Sequence, residues 1–301
     1  MVDTLGTFLL NWLSFSALYA LIAIGFTIIF GVGGVLNLAH GASITVGAFL
    51  TLALFNTLGG TFPDPAVLVA VVAVSLLVVA LFNAVLYLVF VRALEWVYDT
   101  AEQVSLTVMI VTLLVALIVE QVVRLWFGSQ PRSVPRFVEG VIPGTNVQLN
   151  LLVGFLVSWL VIGALFVLIT RTRLGKALVA ASMSRRGAAL VGVDIRRLYV
   201  VTWVLAGVLA GVAGVFLGSF EGATATMGRS PLVISFAVVI LGGLGSIRGS
   251  VLAAYIIGFL EIATTTFFDP SASGITAFLV IVLVLLVRPE GLYGRELQTG
   301  A

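Results

Sequence analysis

Three polar side chains stand close together in an otherwise apolar stretch near the start of the chain. Asn37, His40 and Ser43 fall within about 120° of one another if this stretch is a helix of 3.6 residues per turn. Gly41 lies near the same side, so this face of the helix would be polar and would lack a bulky side chain at that position. Polar groups inside a membrane span are costly and mark candidate functional sites, so the pattern predicts the wall of a solvated substrate path. The alternative is that these side chains hydrogen-bond neighbouring helices.

Two carboxylates also interrupt apolar stretches. Glu261 has no charged residue near it in the sequence, so it either faces a cavity on the substrate path or bonds a neighbouring helix. Glu120 precedes Arg124 by four residues, which is the favourable order for an ion pair on one helix. We interpret that second arrangement as a neutralised structural pair near the end of a span.

The patterns that covalent chemistry or metal binding would need are missing from the sequence. The segment "RLGKAL" lacks both the first glycine and the hydroxyl residue of a phosphate-binding loop. The chain has one histidine and no cysteine, which excludes a histidine cluster and thiol chemistry. We therefore expect no catalytic residue, no metal and no cofactor. The net charge of +2 is small, so a nucleic-acid partner is not expected.

The elements that must position these residues are membrane-spanning helices. Hydrophobic residues make up 61% of the chain and charged residues 9%, against about 45–50% and 25% in soluble domains. A helix that crosses a bilayer needs about 20 mostly apolar residues. The sequence thus predicts an all-α, polytopic bundle in the cell membrane, as a single transmembrane domain over residues 1–301. The nine predicted spans are 9–30, 35–57, 66–91, 104–127, 150–170, 198–218, 231–247, 249–268 and 275–288.

The number of spans depends on two glycine-rich junctions. Residues 31–41 and 241–250 are short and rich in glycine, and broken or re-entrant helices are tolerated where protein or a water-filled cavity satisfies the backbone. The prediction is therefore about nine spans, within a range of eight to ten.

The distribution of lysine and arginine predicts the orientation. Cytoplasmic segments of membrane proteins carry an excess of basic residues. If residues 171–197 are cytoplasmic, alternating spans place eleven basic residues inside and three outside, with Arg124 close to the end of a span. The N-terminus is then outside and the C-terminus is cytoplasmic.

The segment 171–197, "RTRLGKALVAASMSRRGAALVGVDIRR", contains seven of the fifteen basic residues. A topology signal alone needs only a few charges, and an anionic lipid surface is a second explanation because basic clusters beside a span attract such lipids. Small and apolar residues recur at helical spacing between the charges, which indicates one or two short helices with a small-residue face. We therefore favour the third explanation, which is a coupling loop on which a cytoplasmic partner docks, with membrane lipid as a further contact.

Four glycines in "AGVLAGVAGVFLG" form two G-x-x-x-G spacings, at 207–211 and 214–218. Small residues allow helices to approach closely in lipid, where no hydrophobic force drives their association. We predict tight helix packing here, and the spacing is only weak support for oligomerisation.

Several motifs together resemble the permease subunits of the branched-chain amino-acid family of ATP-binding-cassette importers. The motifs are Asn-x-Ala-His-Gly at 37–41, G-G-x-G-S-x-x-G at 242–249 and Arg-Pro-x-Gly-Leu-x-Gly at 288–294. The matching stretches, including 170–218, cover more than a third of the chain, and the motifs occur in the family's order.

The resemblance implies the partners and the mechanism of energy supply. Such permeases have no nucleotide site, and two cytoplasmic ATPase subunits or domains dock on coupling helices of two permease subunits. The second permease would be a paralogue or a second copy of this chain, and an extracytoplasmic binding protein would deliver the substrate. ATP hydrolysis would thus occur on partner chains.

The resemblance also assigns residues. Asn37, His40 and Gly41 fall on the family's Asn and His-Gly positions, and Glu261 falls on a frequent Glu. The coupling role falls on residues 175–193, where the matching positions are Gly175, Ala180, Ala188, Leu190 and Gly192. Two positions depart from the family's pattern: Val179 replaces a frequent Arg, and Ser184 replaces a frequent Asp or Asn. Arg185 and Arg186 follow Ser184, so we expect them to supply charge to the ATPase contact.

The expected function is the membrane path of an importer for branched-chain or related hydrophobic amino acids. A urea, short-amide or sugar permease of the same superfamily is an alternative. A second alternative is a stand-alone secondary transporter or channel. Such a transporter would need ion-coupling carboxylates inside the membrane, and the sequence offers only Glu261 and Glu120 for that role.

Overall fold

The computed structural model describes residues 2–58, 65–269, 272, 274–287 and 291–293. Regular structure in these residues is helical apart from two isolated β-bridges. Two π-helical segments, Leu86–Val91 and Gly218–Gly222, continue α-helices. The α-helices are α1 (Val2–Gly33), α2 (His40–Thr57), α3 (Pro65–Val85), α4 (Arg92–Val97), α5 (Ala101–Phe127), α6 (Leu149–Arg171), α7 (Arg173–Met183), α8 (Arg185–Leu190), α9 (Ile195–Leu217), α10 (Arg229–Gly242), α11 (Ile247–Phe267) and α12 (Ile275–Val287).

The all-α bundle is confirmed. Among the described residues, six helical stretches are long and apolar enough to cross a membrane: α1, α3 with α4, α5, α6, α9 and α11. The other three predicted spans coincide with α2, α10 and α12, which have 18, 14 and 13 residues. Nine crossings therefore stay a prediction. Arg288 and Arg295, which contribute to the predicted orientation, lie outside the described residues.

The second predicted span, 35–57, is wrong at its start. Helix α1 continues to Gly33, residues 34–39 are not helical, and α2 begins at His40. Gly34 has a φ of +59°, and the Asn37 side chain accepts a hydrogen bond from the Ala39 N–H at 3.0 Å. Such local side-chain bonds compete with helix formation. Asn37 therefore precedes the helix that carries His40, and the two do not share a helical face.

Helices α1 and α9 form the centre of the bundle. Helix α1 packs against α6, α9, α10 and α11, while α9 also packs against α2 and α3. The predicted tight packing of α9 is confirmed, since a Cβ at Gly211 or Gly218 would press on Leu76 or Val134. Gly214 lies against the backbone of Ile44 in the same way. These glycines make contacts within the chain, so their spacing gives no support to oligomerisation.

The segment before α10 is held by the long loop between α5 and α6. The backbones of Arg132 and Ala223 exchange two hydrogen bonds, 2.9 and 2.7 Å long. The Asn150 amide donates to the Ser219 hydroxyl at 2.8 Å. These bonds fix the backbone that leads from α9 to Arg229, the first residue of α10.

The glycine-rich junction 241–250 is a tight turn between α10 and α11. Gly243 and Gly245 have φ values of +94° and +88°, which only glycine adopts readily. The N–H groups of Leu292 and Tyr293 donate to the carbonyl oxygens of Leu241 and Gly242 at 2.7 and 3.1 Å. The Gly-Leu-x part of the third motif thus satisfies carbonyls at the C-terminal end of α10.

Candidate functional site

His40 is fully buried at the first position of α2. Its Nε2 lies 3.0 Å from the carbonyl oxygen of Ile22 in α1. Gly25 makes room for the ring, since a Cβ there would lie 2.8 Å from the His40 Cε1. Within the described part of the chain, His40 Nδ1 has no hydrogen-bond partner. The ring therefore joins α2 to α1 and retains one unused polar atom.

Asn37 presents a similar case in the segment before α2. Its Oδ1 makes the local bond to Ala39, and the side chain is almost completely buried. Its Nδ2 has no partner among the residues described. Buried polar atoms are nearly always paired, so each exception calls for an explanation.

Ser43 bonds a neighbouring helix. The Asn83 Nδ2 in α3 donates to the Ser43 Oγ at 3.0 Å and to the Val79 carbonyl oxygen at 2.9 Å. Asn83 in turn packs against Gly207 of α9, where a Cβ would overlap the amide. This polar contact therefore links α2 to α3 and depends on a glycine in α9.

Gly41 lies where α2 approaches the start of α10. A Cβ at Gly41 would lie 2.8 Å from the Gly228 carbonyl oxygen. The same glycine lines a cavity of about 100 Å³ between α2, α5 and residues 225–232. Most of the lining is aliphatic, and the polar lining residues are Thr45, Glu120, Thr226 and Arg229.

The carboxylate of Glu120 has two cationic partners. Arg124 NH2 donates to Oε1 at 3.0 Å, as the spacing of four residues predicts. Arg229 donates from Nε to Oε2 at 3.0 Å, and from NH2 to Oε1 and Oε2 at 2.8 and 2.7 Å. Nothing in the sequence pattern predicts the contact of Arg229, which is 109 residues away. The position of Glu120 in an apolar stretch could have indicated a further partner, because a buried carboxylate requires strong pairing.

Glu261 is buried in α11, apart from the lining of the cavity described above. The N–H of Gly274, which directly precedes α12, donates to Glu261 Oε1 at 2.8 Å. A carboxylate beside a helix N-terminus is favourable because unpaired N–H groups concentrate there. Glu261 thus contacts a neighbouring element, and the structure does not bring it together with Gly41.

The predicted coupling loop contains two short helices, α7 and α8. Each begins with a hydroxyl that accepts a backbone N–H at 3.0 Å: Thr172 from Gly175, and Ser184 from Gly187. Such N-caps fix where a helix starts. Gly175 also permits α7 to cross the end of α6, because a Cβ there would overlap the backbone of Leu168 and Ile169.

The loop has a buried face and an exposed one. Gly175 and Ala188 are buried, Ala180 is partly buried, and Gly192 closes α8 with a φ of +87°. The exposed side carries bulky apolar residues, namely Val179, Met183, Leu190 and Val191. The last two are 82% and 78% exposed. The small residues therefore pack inward, while larger apolar ones cover the outer surface.

Arg185 and Arg186 differ in their surroundings. Arg185 Nε donates to the Val32 carbonyl oxygen at 3.1 Å, and its guanidinium lies 5.7 Å from the centre of the Tyr199 ring. Arg186 is exposed at the surface of α8. Both arginines are exposed, and Arg185 in addition bonds the end of α1.

No group of three or more potential metal ligands occurs among the described residues. The polar groups gathered here are suited to hydrogen bonding and ion pairing.

Comparisons with known proteins match nearly the whole chain. A family model described as "Branched-chain amino acid transport system / permease component" matches residues 8–286. The high-affinity branched-chain amino acid transport system permease protein BraD of Pseudomonas aeruginosa is 29% identical over 297 residues, 95% of each chain. Its counterpart LivH of Escherichia coli K12 is 28% identical over 294 residues, 95% of this chain and 94% of the relative.

A more distant organism supplies a similar match. The probable branched-chain amino acid transport permease protein LivH of Methanocaldococcus jannaschii is 29% identical over 297 residues, 94% of this chain and 90% of the relative. No solved structure gives a significant match.

Proposed function

Because this chain belongs to the family of branched-chain amino acid transport system permease components, we propose that it forms the membrane path for branched-chain amino acids in an ATP-driven importer. It is a multi-pass protein of the cell membrane, with long apolar helices. The observation that carries the proposal is the exposed apolar surface of α7 and α8, which are folded and capped but leave Leu190 and Val191 uncovered. Exposed apolar patches are used for contact with other proteins or with membranes, and on a folded, capped loop this patch supports docking of a protein partner.

The partners in this proposal are those that the family resemblance implies. Two cytoplasmic ATPase subunits dock on the loops of two permease subunits, the second being a paralogue or another copy of this chain. An extracytoplasmic binding protein delivers the amino acid. The relatives BraD and LivH, described as parts of high-affinity branched-chain amino acid transport systems, support this substrate class.

The proposed orientation has nine crossings, with the N-terminus outside and the C-terminus in the cytoplasm. It puts α7, α8 and the basic segment 171–197 on the cytoplasmic side, in agreement with the usual bias of lysine and arginine. Helices α2, α10 and α12 then account for the three crossings beyond the six long apolar stretches.

The docking surface consists of Val179, Met183, Leu190 and Val191, with Arg186 beside it. Apolar side chains supply the buried contact, and the arginine supplies charge. Gly175, Ala180, Ser184, Ala188 and Gly192 shape this surface from within. Arg185 connects it to α1 through Val32.

The substrate path in this proposal follows the beginning of α2. The unpaired buried nitrogens of Asn37 and His40 support it, since among the described residues neither is satisfied by protein. Gly41 supports it by lining the cavity. The proposed path also includes Ser43 and Glu261. Their bonds to Asn83 and Gly274 give them a structural role as well.

The test is reconstitution in proteoliposomes of this chain with its ATPase and second permease partners. Uptake of radiolabelled leucine should require ATP and the loaded binding protein. Purified chain without ATPase is the control, and it should not transport. If that chain alone moved leucine along an ion gradient, the proposal would be wrong.

A further inference from the structure

The cavity beside Gly41 has an unusual charge balance at one end. Glu120 contributes one negative charge, while Arg124 and Arg229 contribute two positive charges within hydrogen-bond distance of it. Among the residues described, no other carboxylate lies within ion-pair distance of either arginine. The cluster therefore has a surplus of one positive charge beside an aliphatic space.

The three side chains differ in their freedom to move. The Glu120 side chain is 8% exposed, whereas those of Arg229 and Arg124 are 64% and 47% exposed. The carboxylate is thus fixed inside the bundle, and the guanidinium of Arg229 reaches it from the exposed side, where the carboxylate of a ligand can also approach. Arginine is suited to this exchange because its planar group pairs with carboxylates in a two-pronged geometry.

The lining of the cavity determines which side chain it suits. The cavity has a volume of about 100 Å³, is partly open to the surface, and is lined mostly by aliphatic residues. Such a lining suits a small aliphatic group. Leu113, Leu117 and Leu232 supply apolar contact for that group.

We propose that this cavity binds the transported amino acid as a zwitterion, with its charged head between Glu120 and Arg229 and its aliphatic side chain beside Gly41. This inference rests on the proposed function and adds the site and the basis of recognition. The ligand carboxylate takes over the guanidinium of Arg229, and the ligand ammonium replaces it on Glu120 Oε2. Arg124 keeps its bond to Oε1, so every charge of the cluster has a partner when the ligand is bound.

This arrangement accounts for the second arginine. A purely structural pair needs one cation for one carboxylate, and Arg124 alone would meet that need by its position on the same helix. With Arg229 added, two arginines share the one carboxylate of Glu120. A zwitterion leaves the net charge of the cluster unchanged, but it gives Arg229 a carboxylate of its own while the ligand ammonium takes the place of Arg229 on Glu120, so the cluster gains one ion pair.

The experiment uses the reconstituted importer with saturating loaded binding protein. Glu120→Gln should lower the initial rate of leucine uptake about tenfold or more, since hydrogen bonds to charged groups have that magnitude. Leu113→Phe should lower it to a similar extent, because the larger ring occupies space in the cavity. Leu114→Phe is the matched control, because Leu114 is adjacent, similarly exposed and absent from the cavity lining. It should transport within about twofold of wild type.

A labelling experiment locates the ligand directly. A leucine analogue with a diazirine in its side chain should label residues 113–120 of the wild-type complex upon illumination, and free leucine should suppress the label. Isopentylamine, which lacks the carboxylate, should not suppress it.

The outcomes separate this inference from the function on which it rests. If wild type imports leucine while Glu120→Gln and Leu113→Phe match Leu114→Phe, or while the label falls elsewhere, the cavity proposal is wrong and the proposed function remains. If wild type imports no branched-chain amino acid with ATP, both are wrong.

Discussion

Arg185 in the coupling loop donates a hydrogen bond to the carbonyl oxygen of Val32, 153 residues earlier in the chain. Val32 is next to the last residue of α1, and a cation at a helix C-terminus is favourable because unpaired carbonyls concentrate there. Helix α1 also receives the contact of His40 through Ile22. The proposed docking surface is thus joined to the helix that holds the beginning of the proposed path.

The first prediction concerns this link. Arg185→Gln removes the guanidinium that bonds the end of α1. It should lower leucine uptake per ATP hydrolysed, because a movement of α8 is then no longer transmitted to α1, while ATPase subunits still bind. Arg186→Gln is the matched comparison and should instead weaken ATPase association, since Arg186 is on the surface. Uptake, ATP hydrolysis and co-purification of the ATPase would be measured together. Identical effects of the two variants would contradict the separate roles given to them.

The second prediction concerns the apolar docking surface. The double variant Leu190→Ala/Val191→Ala should reduce affinity for the ATPase subunit about tenfold or more, because it removes five carbon atoms from the contact and each buried one contributes about 0.8 kcal/mol. Val138→Ala/Val141→Ala removes exposed valines from the loop between α5 and α6 and should leave the affinity unchanged. Binding of the purified ATPase to the solubilised permease measures both. Equal losses would place the interface elsewhere.

The third prediction concerns the crossing of α6 and α7. Gly175→Ala should destabilise the protein by about 1–3 kcal/mol, because the new methyl group overlaps the backbone of α6. Gly163→Ala in α6 is the control, since nothing lies within 4 Å of a Cβ there. It should be neutral or slightly stabilising, because alanine favours a helix over glycine. Thermal unfolding in detergent compares the two, and a stable Gly175→Ala would refute the close crossing.

The fourth prediction concerns the Ser43–Asn83 contact. A double-mutant cycle with Ser43→Ala and Asn83→Ala should give a coupling energy of about 0.6 kcal/mol, as is typical between membrane helices. Ser43→Ala combined with Ser75→Ala is the control, since Ser75 bonds the Val71 carbonyl of its own helix. That pair should be additive within about 0.3 kcal/mol, clearly less than the coupling expected for Ser43 and Asn83. A zero coupling between Ser43 and Asn83 would rule out a stabilising bond.

The fifth prediction concerns Glu261. Glu261→Gln should keep wild-type stability, because the amide oxygen can still accept the Gly274 N–H, whereas Glu261→Ala loses that bond and should cost about 1–3 kcal/mol. Thermal unfolding tests this difference. Leucine uptake by the stable glutamine variant tests the path role: a charge on the path predicts reduced uptake, and unchanged uptake removes Glu261 from the path.

Long apolar helices were predictable because hydropathy alone bounds them. The predicted spans 104–127 and 150–170 agree with α5 and α6 to within about three residues. The start of α2 was not predictable in this way, because apolar residues continue through 34–39. Helix α1 ends there because Gly34 has a positive φ and because the Asn37 side chain accepts a local hydrogen bond. Hydropathy reports neither of these two features.

The ion cluster shows a second limit of the sequence. The Glu120–Arg124 pair follows from helical spacing, and the structure confirms it. Arg229 could not be assigned to it, because its approach depends on how α5, α10 and the loop at 128–148 pack together. The sequence did predict one or two short helices in segment 171–197, since that periodicity is local. The small-residue face was expected to meet the docking partner, and that expectation is wrong, because Gly175 and Ala188 are buried against the rest of the chain.

The bonds from Leu292 and Tyr293 to the end of α10 have a consequence for biosynthesis. The carbonyl groups of Leu241 and Gly242 obtain these partners only after about fifty more residues have been made. At about 5–20 residues per second, that delay is roughly 3–10 s. Until then, other donors such as water must satisfy these two carbonyl groups, so this end of α10 reaches its final hydrogen bonding only when the C-terminal motif has been made.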